Sequence, residues 1–294
     1  MGSHFARLDG EPAEVAAAMA EQYLPRFAGD ALPAGRVGAT LALADKLDTI
    51  AGIFAIGQKP SGTRDPFGLR RAALGLLRIV LEQRIELDLP QAIGGAVEAV
   101  GRDLGAVAAA RGAAPRALAA STVAEIYDYF MERLRGHHLE GKDGTSVEMF
   151  DAVLDRRPAS PLDFEARLAA LTEFLKLPDA RVLTGANKRI ANIQRKAGES
   201  GGGAVNAALF RLDEERRLAA AVEAVAPGVA ERLSRRDYTG ALKELATLRP
   251  AVDSFFDRVM VMDEDLAVRA NRFALLGRVR GLFLEVADLS RLPG

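Results

Sequence analysis

Apolar residues recur three or four positions apart along almost the whole of this 294-residue chain, and this spacing limits its fold more than any other feature. It places apolar side chains on one face of an α-helix, whereas a half-buried strand needs strict alternation of apolar and polar residues. Alanine and leucine, which dominate the chain, both favour helices. No run of alternating β-branched residues interrupts the pattern. The sequence therefore predicts an all-α protein.

Proline and glycine divide the helical pattern into segments. Asp65 and Pro66 predict the cap and the first position of a helix that reaches about residue 83. Residues 136–144, which glycine bounds at both ends, predict a loop. A polar helix is predicted over residues 186–197, and the glycines that follow make residues 198–203 the best linker in the chain.

The composition excludes several classes of protein. The 39 basic and 40 acidic residues leave a net charge of −1, so only a local patch could bind a polyanion. Without cysteine the chain has no disulfide, thiolate zinc site, iron–sulfur cluster or cysteine nucleophile, and we expect it in the reducing cytoplasm. No apolar run is long enough to span a bilayer, so no membrane partner is expected.

Few residues could carry catalysis. Asp45 and Asp48 lie three positions apart on one predicted helix face, as paired metal-binding carboxylates would. The simpler interpretation is that they pair with Lys46 and with local backbone. The adjacent His137 and His138 are predicted to lie in a solvated loop. Because a metal site needs more ligands and a catalytic triad needs a placed base, we predict no metal ligands and no catalytic residues.

Arginine and lysine cluster on two predicted helix faces, where they could contact RNA phosphates. The alternative is a solvated surface with intrahelical ion pairs, such as Arg78 with Glu82. The first face contains Arg70, Arg71, Arg78 and Arg84, and the second contains Lys188, Arg189, Arg195 and Lys196. Further arginines, among them Arg269 and Arg272, lie on the polar edges of apolar helical stripes near the C-terminus. Charge alone does not choose between these interpretations.

Four phrases resemble one known family. They are LADKLDT at 43–49, GQKPSGTRDPFGLRR at 57–71, NKRIANI at 187–193 and VDSFFDRVMVM at 252–262. In this order they resemble the beta subunit of the bacterial two-subunit glycyl-tRNA synthetase, and the likeness runs from about residue 11 to 292. The resemblance implies that this chain is a C-terminal part of such a subunit.

The resemblance also implies a function. In that family the alpha subunit holds the site for glycine, ATP and Mg, the beta subunit grips glycine tRNA, and the assembly is an alpha-two beta-two tetramer. This chain would then bind tRNA as a part of glycine–tRNA ligase, with no cofactor and no catalysis of its own. Its expected partners are glycine tRNA and the alpha subunit.

The chain is expected to have four parts. The opening residues MGSH are typical of a cloning scar, so residues 1–5 are expected to be a tag remnant. The resemblance implies the end of an HD-type helical domain at 6–95, followed by a helical middle region at 96–180 and a DALR-type anticodon-binding domain at 181–294. The tRNA-binding residues expected from the resemblance and the basic faces are Lys188, Arg189, Asn192, Arg195, Lys196, Arg269 and Arg272.

Two alternatives stay open. The HD-type part resembles metal-dependent phosphohydrolases, in which Asp45 would match only the last metal ligand, so Asp45 and Asp48 could be the remnant of such a site. In the second alternative the chain is purely a scaffold for the alpha subunit.

Overall fold

The computed structural model describes residues 1–60, 64–114, 118–140, 144–197 and 203–293. Within these ranges the regular structure consists of α-helices and two short 3-10 helices, without a strand. The predicted all-α fold is confirmed. The predicted glycine linker lies outside the described residues except for Gly203.

The chain forms two compact units, which are described separately. The first consists of Met1–Lys142 and Ala159–Leu162. Its helices are Gly2–Leu8 (α1), Ala13–Glu21 (α2), Arg36–Ala55 (α3), Leu69–Glu82 (α4), Leu89–Ala110 (α5) and Thr122–Glu140 (α6). Helix α3 packs against α2, α4, α5 and α6 and is therefore the centre of this unit.

The second unit consists of Asp143–Pro158 and Asp163–Gly294. Its helices are Val147–Leu154 (α7), Pro161–Leu175 (α8, whose first two residues belong to the first unit), Ala180–Ala197 (α9), Asp213–Ser234 (α10), Tyr238–Ala246 (α11), Arg249–Arg258 (α12) and Leu266–Leu284 (α13). The 3-10 helices are Ala207–Leu209 and Leu289–Arg291. The four-part domain division stays a prediction.

Helix α3 is buried along most of its length, and its one buried charge is satisfied by backbone. The Nζ atom of Lys46 donates to the carbonyl oxygens of Gln22 at 3.3 Å and Leu24 at 2.8 Å. Burial lowers the pKa of Lys46. Asp45 and Asp48 are both exposed on the same helix. The described residues contain no group of three or more His, Asp or Glu side chains that could hold a metal ion.

The start of α4 differs from the prediction. The helix begins at Leu69, not at Pro66, because Gly68 adopts a left-handed conformation with φ of 68° at the N-cap. Asp65 nevertheless caps the first turn, since its carboxylate accepts hydrogen bonds from the backbone N–H of Leu69 at 2.8 Å and of Arg70 at 2.9 Å. The sequence therefore predicted the capping residue correctly but placed the start of the helix three residues too early.

The predicted loop at 136–144 is wrong over its first five residues, which extend α6 to Glu140. Leu134 is 1% exposed and His138, one turn later, is 7% exposed, so the buried stripe of α6 continues past Gly136. A single glycine costs a helix about 1 kcal/mol, which burial of this stripe offsets. His137 is exposed, but it lies on the helix and not in a loop.

Phenylalanine rings form much of the core of the second unit. The rings of Phe150 and Phe164 have centroids 4.6 Å apart, and those of Phe174 and Phe283 are 6.4 Å apart. Beside them the hydroxyl of Tyr238 donates to Asp163. Burial, together with this hydrogen bond, raises the pKa of Tyr238 to about 12. The core thereby joins α8, α11 and α13.

Candidate nucleic-acid interface

Helix α9 separates an apolar face from a basic one. It begins at Ala180, six residues before the predicted start, and its inner stripe consists of Leu183, Asn187, Ile190 and Gln194. Asn187 satisfies its amide by donating to the carbonyl oxygen of Leu183 at 3.0 Å. The exposed side carries Arg181, Lys188, Arg189, Arg195 and Lys196, and the helix contains no acidic residue. We call these five residues the α9 basic face.

An aromatic ring supports the centre of the α9 basic face. The guanidinium carbon of Arg189 lies 4.3 Å from the centroid of the Phe256 ring on α12. Phe256 in turn meets the fully buried Phe255 edge to face, with centroids 5.7 Å apart. A guanidinium stacked on a ring stays charged and keeps N–H donors at its edges. Arg189 is therefore held in place without being neutralised.

The other predicted residues of α9 are also accessible. Asn192 is half-buried, and its Oδ1 accepts a hydrogen bond from Nη2 of Arg195 at 2.8 Å. Lys188 and Lys196 are exposed, and neither pairs with a carboxylate within the described ranges. The structure thus brings Lys188, Arg189, Asn192, Arg195 and Lys196 together on one helix.

The structure gives the two predicted residues of α13 different environments. Arg269 lies half-buried in the first turn of the helix, and its side chain makes no hydrogen bond or ion pair with any other described residue. Arg272 lies in the interior and is only 3% exposed. Its Nε donates to Oε1 of Glu215 at 2.9 Å, and its Nη1 donates to Oδ2 of Asp263 at 2.7 Å and to the carbonyl oxygen of Met260 at 2.9 Å.

The expectation that Arg272 contacts tRNA therefore needs correction. A phosphate could reach its guanidinium only by displacing two carboxylates and a carbonyl from a buried site. Breaking such a network leaves buried charges uncompensated. Arg272 instead holds the start of α10 and the loop after α12 against α13.

Glu215 completes this network and was not among the residues expected from the sequence. Its carboxylate is fully buried and accepts hydrogen bonds from the backbone N–H of Arg211 at 2.9 Å and of Leu212 at 2.8 Å. Burial favours a higher pKa, but the hydrogen bonds from Arg272 and from these two N–H groups outweigh it. The pKa of Glu215 therefore lies below its ordinary value of 4.5. In the sequence Glu215 is one of three consecutive acidic residues, and nothing there distinguishes it from the others.

Arg181 and Phe256 belong to this interface, and neither was expected there from the sequence. Arg181 precedes Lys188 by seven positions, so it falls on the same face once the helix is extended back to Ala180. Phe256 was grouped with the apolar core stripes, and it is half-buried under Arg189. The helical period contained the signal for Arg181, whereas the position of Phe256 depends on the packing of α12 against α9.

The basic face predicted in the first unit is partly neutralised. Arg78 pairs with Glu82 at 2.8 Å, which confirms the intrahelical pair expected for a solvated helix surface. Its two Nη atoms also donate to the carbonyl oxygen of Asp30, each at 3.2 Å. Arg84 lies beyond the end of α4 in a left-handed conformation with φ of 53°. Of the four predicted residues, Arg70, Arg71 and Arg78 share one helix.

Among the described residues, no helix is both long enough and apolar enough to cross a membrane.

Comparisons with known proteins identify two matching family models. Residues 1–155 match the model described as "Glycyl-tRNA synthetase beta subunit", and residues 183–289 match the model described as "DALR anticodon binding domain". The second match includes most of α9 together with α10, α11, α12 and α13.

Curated relatives match the chain over nearly its whole length. The glycine–tRNA ligase beta subunit of Edwardsiella ictaluri is 47% identical over 292 residues, which is 99% of this chain. The proteins of the same name from Marinobacter nauticus and Haemophilus influenzae are each 46% identical, over 100% and 99% of this chain. The chain spans about 40% of the length of each of these relatives.

Proposed function

This chain belongs to the glycyl-tRNA synthetase beta subunit family, and on that premise we propose that its second unit binds the anticodon arm of glycine tRNA. The α9 basic face carries this proposal. It is exposed, contains five cations and no acid, and lies largely within the segment that matches an anticodon-binding domain. Anionic RNA is the partner that such a surface suits best.

Within this proposal the residues of the α9 basic face have distinct roles. Lys188, Arg195 and Lys196 contact phosphate oxygens, which fixes the position of the RNA but carries no sequence information. Arg189 and Asn192 contact unstacked anticodon bases, since a fixed guanidinium and an amide can both hydrogen-bond base edges. Arg269 adds a contact from α13, and Arg272 is left out because it is buried.

The catalytic step belongs to other parts of the enzyme in this proposal. The whole enzyme joins glycine to its tRNA with ATP in the cytoplasm, where protein synthesis consumes the product. The alpha subunit would hold glycine, ATP and Mg²⁺, and this chain would bind that subunit and supply no catalytic residue.

A salt titration of tRNA binding tests the proposal. We expect Arg189→Glu combined with Lys196→Glu to weaken binding of glycine tRNA on the order of tenfold or more. The slope of log affinity against log salt should fall by about 0.7–0.9, the contribution of one phosphate contact, because only Lys196 of these two residues contacts a phosphate. Arg217→Glu with Arg235→Glu, which makes the same charge change at exposed sites on and just after α10, is the matched control.

Two outcomes would contradict the proposal. If both double variants lose affinity equally, the effect is one of net charge and not of the α9 basic face. If the α9 variant binds unchanged at low salt, that face does not contact tRNA. Competition with an anticodon-substituted tRNA and an unrelated tRNA then measures specificity. Equal weak binding of all three would favour the scaffold role over anticodon recognition.

A further inference from the structure

The loop between α12 and α13 exposes apolar side chains that the core of the second unit does not use. Met260 is 74% exposed, Met262 is 54% exposed, and Leu266, the first residue of α13, is 64% exposed. No other described large apolar side chain of the second unit is more exposed than these three. Neighbouring apolar side chains exposed in this way commonly mark an interaction site. We call residues 259–265 the methionine loop.

The methionine loop is held in place by buried contacts. Val259 and Val261 are buried and alternate with the two exposed methionines. The carbonyl oxygen of Met260 accepts a hydrogen bond from the interior side chain of Arg272 at 2.9 Å. The backbone N–H of Asp263 donates to the carbonyl oxygen of Val261 at 3.0 Å. A ligand therefore meets side chains on an ordered backbone, which reduces the entropy cost of binding.

Contacts of the proposed tRNA interface flank the methionine loop on both sides. Phe256, which supports Arg189, precedes Met260 by four residues, so the Cα atoms of Phe256 and Met260 lie within about 15 Å of each other. On the other side, Leu266 and Arg269 are three positions apart and share one face of α13. Along the chain, the exposed apolar side chains therefore lie between two parts of the proposed interface.

The charge of the methionine loop indicates which part of an RNA it suits. The loop contains Asp263, Glu264 and Asp265 and no cation. Arg211 pairs with Asp263 and Asp265, whereas Glu264 is exposed. Phosphates are therefore not attracted to the loop. An uncharged, unpaired base suits it better, because thioether sulfur contacts aromatic rings favourably and methionine and leucine side chains can pack against bases.

We propose, on the basis of the proposed function, that Met260 and Met262 hold unpaired bases of the anticodon loop while the α9 basic face holds phosphates. The two kinds of contact differ in their response to salt. Phosphate contacts release counterions and weaken as salt rises, whereas the packing of a base on a thioether involves no ions. A protein partner is the other possible occupant, and the flanking contacts of the proposed tRNA interface favour RNA over it.

Binding of two RNA probes to the 294-residue chain tests this division. One probe is the anticodon stem–loop of glycine tRNA, and the other is the same stem as a blunt duplex without the loop. We expect Met260→Ser with Met262→Ser to weaken stem–loop binding about threefold to tenfold. The slope of log affinity against log salt should stay the same, because no phosphate contact is lost. Binding of the duplex should also stay the same.

Two further variants serve as controls. Met260→Leu with Met262→Leu keeps apolar side chains of similar volume and should retain most of the affinity for the stem–loop. Val147→Ser with Leu175→Ser removes two exposed apolar side chains elsewhere in the second unit, and it should bind both probes as the unchanged chain does. Thermal unfolding midpoints establish that each variant is folded.

Four results would overturn the proposal. The first is unchanged stem–loop binding by the methionine-to-serine variant, which would leave the methionine loop to a protein partner. The second is an equal loss for the stem–loop and the duplex. The third is a loss accompanied by a smaller salt slope, which would mean that phosphate contacts are disturbed. The fourth is an equal loss in the Val147→Ser and Leu175→Ser variant.

The proposed function is tested separately with the same probes. Arg189→Glu with Lys196→Glu should lower the salt slope for the stem–loop, which the methionine variants should not do. An unchanged slope in that variant would contradict the role of the α9 basic face and not that of the methionine loop. Failure of the unchanged chain to bind either probe would contradict the proposed function itself.

Discussion

Helices α9 and α13 both carry several arginines in the second unit, and they use them in opposite ways. On α13 three arginines each pair with a carboxylate from another part of the unit: Arg272 with Glu215 and Asp263, Arg278 with Glu223, and Arg280 with Asp288. On α9 none of the five cations pairs with a carboxylate in the described part of the chain. Arginine therefore stabilises the fold at three of the four α13 positions, whereas it remains available to a ligand on α9 and at Arg269.

The difference lies in the positions of the acids. Glu215 precedes Arg272 by 57 residues, so only the fold brings the two charges together. A buried arginine needs such a partner because an uncompensated buried charge is very costly. An exposed cation without a partner keeps its hydration and its attraction for phosphate. Counting arginines in the sequence cannot separate these two cases.

The largest expected effect comes from breaking the buried pair on α13. Glu215→Gln leaves the charge of Arg272 buried with weaker compensation, and we expect a loss of about 3–5 kcal/mol in the free energy of unfolding. Chemical denaturation measures it. Glu223→Gln removes the partner of exposed Arg278 and should cost only about 0–1 kcal/mol. Equal losses in the two variants would remove the distinction between buried and exposed arginines on this helix.

A double replacement separates folding from RNA contact at the same site. Arg272→Met with Glu215→Gln removes both charges of the buried pair, and the amide oxygen of glutamine can still accept from the N–H groups of Arg211 and Leu212. We expect this variant to fold and to bind glycine tRNA with unchanged affinity. If the double variant folds but loses tRNA binding, Arg272 contributes to the tRNA interface after all.

Acid should weaken the ion pairs of Arg272 with Glu215 and Asp263 before it affects the α9 basic face. Because the pKa of folded Glu215 lies below 4.5, its carboxylate stabilises the fold fully above about pH 4.5, and this stabilisation is lost as the pH falls through the folded pKa. The pKa of Asp263 is also lowered, by a backbone hydrogen bond from Asp265 and by the side chain of Arg272, so its stabilising contribution is lost in acid as well. Denaturation midpoints between pH 7 and pH 3 measure the loss. The midpoint of Glu215→Gln should depend less steeply on pH, and an unchanged dependence would contradict the assignment.

The smallest expected effect concerns the support of Arg189. Phe256→Leu removes the ring under the guanidinium and should weaken tRNA binding about 2- to 5-fold, which corresponds to about 0.5–1 kcal/mol for an exposed cation–π contact. Phe256→Tyr keeps a ring and should bind as the unchanged chain does. If the leucine variant binds equally well, stacking does not position Arg189 for RNA.

Most helices could be predicted from the sequence, because apolar spacing and breakers are local signals. The basic side of α9 followed from that spacing, although starting the helix at residue 186 omitted Arg181. The extension of α6 past Gly136 could not be predicted, since it depends on burial of His138. The start of α4 was misplaced because Asp65 caps it across a left-handed Gly68.

Less of the candidate site could be predicted than of the fold. Lys188, Arg189, Asn192, Arg195 and Lys196 were selected from one helix, and a single local period places them together. Arg272 was selected on the same grounds and is buried, because its environment depends on Glu215 and Asp263 from distant segments. Local periodicity identifies a face, and tertiary packing decides whether that face meets solvent.

The two backbone N–H groups that donate to Glu215 allow opening of the second unit to be followed by hydrogen–deuterium exchange. Amides at the N-terminus of a helix have no intrahelical partner and ordinarily exchange rapidly with deuterium. Those of Arg211 and Leu212 are instead bonded to a fully buried carboxylate. Their exchange requires that carboxylate to release them, so slow deuterium uptake at these two amides records how often the capped start of α10 opens.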